Sequence, residues 1–141
     1  MSLFRKNSYG NITIPEEMSP LESVTHLFAA VQLSDGQTGY EERVSWFKAI
    51  SELFPEHSEQ RAERFLKEAY NMLNSKNSKD REGYIIKLLD RIKVLMPKGE
   101  IKKLCLKISR LIEADGIVMS SEIEIVQLIS SHLGIKIHTD N

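Results

Sequence analysis

The sequence predicts an all-α fold, one bundle of six amphipathic helices, on three observations. The first is a template repeated in three consecutive segments. Ala62, Phe65, Leu66, Ala69, Met72 and Leu73 recur at steps of three and four, as do Ile85, Leu88, Leu89, Ile92, Leu95 and Met96, and then Ile101, Leu104, Cys105, Ile108, Leu111 and Ile112. That spacing lines one face of a helix, whereas a strand would alternate at period two. The second is that short breaker segments separate the stripes: Asn74 to Ser78 is polar, and Pro97-Lys98-Gly99 interrupts the next pair. The third is bulk composition. A chain of 141 residues with 41% hydrophobic and 28% charged residues can bury one continuous core, and it is too apolar to stay disordered.

Taken in order, residues 1–19 hold Gly10 and Pro15 with no sustained period, so they read as an irregular arm. Leu21, Val24, Phe28 and Val31 mark a first helix over 20–33, closed by Ser34-Asp35-Gly36. Trp46, Phe47, Ile50, Leu53 and Phe54 mark a second over 40–54, stopped by Pro55. The three templated helices follow, and their short linkers predict antiparallel neighbours. A sixth helix starts near Ser121, where Ser121 and Glu124 fit a capping box, and ends at Gly134. The predicted domain is therefore 20–134, with a flexible tail over 135–141. Each helix is expected to turn its opposite face, charged, to solvent.

The net charge of −1 hides an uneven distribution. Residues 1–74 carry 7 basic and 11 acidic groups, residues 75–110 carry 11 and 4, and residues 111–141 carry 1 and 5, so the segments stand at −4, +7 and −4. On the fifth helix Lys98, Lys102, Lys103, Lys107 and Arg110 can form a basic face. Such a face is either ordinary solvated surface or a dock for a protein partner or an acidic surface at a membrane periphery. Nucleic acid is not expected, because no aromatic residues interleave with the lysines and the pI is about 6.4. The N-terminus has no apolar run of signal-peptide length, and no apolar stretch approaches the roughly 18 residues of a membrane span. A cytoplasmic chain is expected. The single cysteine, Cys105, lies in an apolar stripe and reads as a buried, inert thiol.

The turn after the first helix recurs after the fifth. AAVQLSDGQTGYEERVSWF and SRLIEADGIVMSSEIEIVQL align on Asp35-Gly36 and Asp115-Gly116, with Glu42 and Glu122 each seven residues past the aspartate. Apolar positions match at Phe28/Ile108, Val31/Leu111, Trp46/Val126 and Leu53/Leu133. Asp-Gly-x5-Glu resembles the tail of a calcium loop, yet the first-ligand positions hold Val31 and Leu111, which excludes an EF-hand. Two readings stay open. Aspartate, glycine and a first-turn glutamate are ordinary helix caps; alternatively, Asp35, Glu42, Glu113, Asp115 and Glu122 contribute oxygens to a divalent cation. Calcium is the first choice for an all-oxygen, water-completed shell.

This doubled helix, Asp-Gly turn and helix, from Leu27-Phe28-Ala29-Ala30 to Glu42 and from Leu111-Ile112-Glu113-Ala114-Asp115-Gly116 to Glu122, resembles the tellurite-resistance protein B family, whose domain also occurs in certain J-domain cochaperones. The resemblance spans residues 20–134. It implies a bacterial, non-enzymatic helical domain of stress response, proposed to bind metal through the acidic residues of both motifs. Ser34 departs from the usual alanine before Asp-Gly, and Gly39 stands where a polar helix start is commoner.

Other chemistry finds little footing. His26, His57, His132 and His138 form no i, i+4 histidine pair and no Cys-x-x-Cys accompanies them, so each is expected at the surface or rim. No phosphate loop or Gly-x-Ser-x-Gly elbow occurs. The expectation is a binding module, with a purely structural protein-interaction adaptor as the rival and a metal-assisted enzyme using the paired carboxylates behind both.

Overall fold

The computed structural model describes residues 14–34, 40–56, 59–115 and 120–135, apart from the side chains at 34, 40–43, 78, 113–115 and 120–122. Among them the regular structure is helical throughout: a 3-10 turn, Pro15–Glu17, then α1 (Pro20–Ser34), α2 (Tyr40–Leu53), α3 (Glu59–Asn74), α4 (Ser78–Leu95), α5 (Lys98–Asp115) and α6 (Ser120–Leu133). The all-α bundle is as the periodicities require.

Local chemistry sets the helix ends. Pro20 occupies the first turn of α1, where its missing N–H costs nothing, and the Glu22 N–H donates to Ser19 Oγ at 3.1 Å. Asn77 caps α4 by accepting from the Asp80 N–H at 2.8 Å. The C-terminus of α3 is closed by a side chain from the next helix, with Arg81 donating from Nε and Nη2 to the Leu73 carbonyl at 3.1 and 2.9 Å. Gly134 ends α6 at φ 71°, a left-handed conformation that glycine adopts without penalty.

The core is built around α1. Every residue from 22 to 32 is buried, which no one-sided amphipathic helix would show. This corrects the expectation of a charged outer face for the first helix: α1 packs against α3 and α4, and also meets α6 and α2. Its polar side chains survive burial with partners from the local backbone or from neighbouring helices. Thr25 Oγ1 donates to the Leu21 carbonyl at 2.7 Å, and Ser23 Oγ reaches the Ser19 and Pro20 carbonyls at 3.0 and 3.1 Å. Gln32 Oε1 accepts from the Tyr70 hydroxyl.

The antiparallel pairing expected of α3 and α4 is also revised. Both helices lean chiefly on α1 rather than on each other, since α1 offers each an apolar face that their own stripes can bury. The end of the N-terminal arm is equally engaged. Met18 is wholly buried, the 3-10 turn lies on α4, and Arg91 Nε donates to the Met18 carbonyl at 2.9 Å. On the far side, α5 packs on α2.

Candidate cation site between α1, α3 and α4

The buried polar groups of α1 converge with charges from its neighbours in one place. Glu22 and His26 stand four residues apart on α1, hence on one face, and Glu68 comes from α3. A ring nitrogen of His26 and one carboxylate oxygen each of Glu22 and Glu68 lie within 4.8 Å of one another. Glu22 and His26 are buried, at 5% and 0% exposure, while Glu68 is exposed. The cluster thus has a closed floor and an acidic mouth.

Tyr84, from α4, completes it. Its hydroxyl lies 2.7 Å from His26 Nδ1, whereas His26 Nε2 is buried without a hydrogen-bond partner. Two ring nitrogens therefore share one partner, an arrangement that costs about 1–3 kcal/mol when left uncompensated. Burial lowers the His26 pKa from 6.5 to about 4, so the imidazole is uncharged at neutral pH. Burial, followed by the charges of Glu22 and Glu68, pushes the Tyr84 hydroxyl well above its usual pKa, so it stays protonated. Lys76 Nζ stands 5.3 Å from the centre of the Tyr84 ring. Chemically this is a neutral imidazole and two carboxylates around one point, with a tyrosine fixing the ring.

His26 thus departs from the expectation that all four histidines sit at the surface or rim. His132 Nδ1 is also buried without a hydrogen-bond partner, but His132 belongs to no comparable cluster among the described residues.

Asp35 lies outside the described residues; Glu42 is in α2, Glu113 and Asp115 end α5 and Glu122 is in α6, all with side chains outside the description. On α5, Lys98, Lys102, Lys103 and Arg110 are exposed, whereas Lys107 is half-buried and donates to Glu52 on α2. That hydrogen bond and the Lys107 charge, with Lys48 and Arg110 adding smaller effects, hold the Glu52 carboxyl below its ordinary pKa. Lys103 pairs with Glu100 at 3.5 Å within its own helix. Cys105 is buried and its thiol is pushed up to about 11 by desolvation, as an inert core cysteine requires. Among the described residues no helix is long and apolar enough to cross a membrane.

In comparisons with family models, curated proteins and solved structures, the chain has no match.

Proposed function

We propose that this chain is a non-enzymatic helical binding module, of the tellurite-resistance B type that its turns resemble, and that it holds a divalent cation between α1 and α3. The observation that carries this reading is the buried, uncharged imidazole of His26, which leaves Nε2 unpartnered and brings a ring nitrogen within 4.8 Å of two carboxylates. A core histidine without such a role is ordinarily replaced by an apolar residue or fully hydrogen-bonded. A cation would supply the missing partner and balance the paired negative charge.

The turn carboxylates Asp35, Glu42, Asp115 and Glu122, with Glu113, are a second place for an ion, calcium first. In favour of it, both Asp-Gly pairs fall at junctions between consecutive helices, α1 to α2 and α5 to α6. Exposed Lys98, Lys102 and Arg110 favour a protein partner or an acidic surface as the docking counterpart, and we place the module in the cytoplasm.

The test is a thermal scan of the metal-stripped chain with zinc, manganese, calcium and magnesium added singly. An ion at about ten times its Kd adds roughly 1.4 kcal/mol, which raises the midpoint of a domain this size by roughly 3 to 8 °C. A midpoint indifferent to all four ions makes the chain a protein-interaction adaptor instead.

A further inference from the structure

We infer that Glu22, His26 and Glu68 form a three-ligand site for a zinc-class ion, with Tyr84 as the positioning residue and one coordination place facing solvent. This rests on the cation-binding reading above and names the ion that the α1–α3 site takes.

The donor set decides the class. Calcium draws six to eight oxygens, commonly including backbone carbonyls, at about 2.3 to 2.6 Å, and magnesium requires a near-octahedral shell that keeps its waters. Here the backbone around the two buried ligands is α-helical, so its carbonyls are committed to helical hydrogen bonds, and the floor is closed by packed side chains. One imidazole nitrogen and two carboxylates instead match the mixed nitrogen and oxygen set of tetrahedral zinc sites that keep a fourth position open. Glu68 lies at the exposed edge, so the fourth place opens to water on its side.

Distances fit with little rearrangement. Ligand atoms about 2.1 Å from a tetrahedral ion stand roughly 3.4 Å apart. The three donors already lie within 4.8 Å, so the change needed is of the size a rotamer adjustment supplies, and the exposed Glu68 is the side chain with room to make it.

Tyr84 supplies what such sites need beyond their ligands. A ligating histidine almost always gives its other ring N–H to an acceptor, which fixes the tautomer and the ring's aim. His26 Nδ1 and the Tyr84 hydroxyl are 2.7 Å apart; in the tautomer whose Nδ1–H donates to that oxygen, Nε2 presents its lone pair. The ion would then tie α1 to α3 directly and to α4 through the tyrosine.

The experiment titrates the full-length, metal-stripped chain with zinc, cobalt, calcium and magnesium by calorimetry and records the cobalt absorption spectrum. Glu68→Gln is the decisive variant because its exposed side chain can change without unfolding the core. Zinc and cobalt should bind one per chain in preference to calcium and magnesium. Cobalt should give a tetrahedral or five-coordinate spectrum without a thiolate band, because Cys105 is not a ligand. Glu68→Gln should weaken zinc at least tenfold, while Glu63→Gln, on the exposed face of α3, should leave it unchanged. Tyr84→Phe should weaken zinc on the order of tenfold and shift the cobalt spectrum, a readout that lost stability alone would not move. Zinc affinity surviving Glu68→Gln overturns this three-ligand site; calcium binding that Asp115→Asn abolishes while zinc is ignored overturns it too, and leaves only the turn carboxylates as the place where the module holds a cation. Binding of none of the four ions removes both.

Discussion

Helices α1 and α5 each lead into an Asp-Gly pair, and the two pairs stand 80 positions apart in the sequence, yet the helices have opposite surroundings. Both bury a matched aromatic or aliphatic residue, Phe28 in one and Ile108 in the other. On their backs they diverge. Where α1 has buried Glu22, His26 and Leu27, α5 has exposed Lys102 and Leu106 and half-buried Lys107. The shared motif therefore specifies a stripe, and a helix's place in the bundle decides what its remaining residues become. In the centre, a carboxylate and an imidazole are kept from water and turned toward each other; at the rim, the equivalent positions are solvated or joined to Glu52. A turn that recurs in the sequence need not bring a second such cluster, because α5 offers lysine and leucine where α1 offers Glu22 and His26.

The same substitution made in both helices should separate them most widely. Leu27→Lys places an ammonium in the packed centre and removes a buried leucine, costing about 4 kcal/mol or more, a large part of the stability of a domain this size. Urea unfolding would show it as a collapse of the midpoint. Should Leu27→Lys instead be tolerated at neutral pH, α1 is not the central helix.

Acid should weaken α1 through His26. Its pKa falls from 6.5 unfolded to about 4 folded, so the unfolded chain takes up the proton first. Stability must then decline as pH drops through that window, and the loss is complete below the folded value. Glu22, Glu68 and Tyr84 face the ring from α1, α3 and α4. For the metal-stripped chain the loss between about pH 7 and about pH 5 comes to about 2 kcal/mol. His26→Leu should flatten the profile over that interval; an unchanged slope would assign the acid sensitivity to another group.

A smaller, opposite effect is expected at Gly83, mid-helix in α4, where an added Cβ meets nothing within 4 Å. Gly83→Ala should stabilise by about 1 kcal/mol from backbone entropy alone, seen as a higher midpoint with zinc affinity unchanged. The smallest change belongs to α5. Leu106 is 51% exposed, so Leu106→Lys should stay within about 0.5 kcal/mol of the parent in the same urea assay. A cost near that of Leu27→Lys would mean that the outer face of α5 is covered in solution.

The helices were legible because their signals are local. Stripes at three- and four-residue steps, Asn77, Pro97 and Gly134 each act within a turn or two, and the observed spans follow them closely. The centrality of α1 was legible in principle: PLESVTHLFAAVQLS contains one acidic residue and no lysine or arginine, with small residues on the side opposite its stripe. Counting apolar positions on one face overlooked that missing charge. Glu22 and His26 at i, i+4 formed a ligand spacing that a search for histidine pairs passes over. Glu68 gave no local sign at all, since it sits among exposed charges of α3 and joins the pair only because α3 docks on α1. The resemblance rests on the Asp-Gly turns, whose carboxylate side chains lie outside the description.

One contact gives the molecule a consequence of a different kind. The chain's single tryptophan, Trp46, is 5% exposed, and its ring meets that of Phe28 edge-on at 4.7 Å between centroids. Phe28 lies two residues beyond His26 on the same helix. The protein thus carries its own optical gauge: one indole, shielded from water and pressed on α1, whose emission wavelength and lifetime register any rotation of the helix without a label.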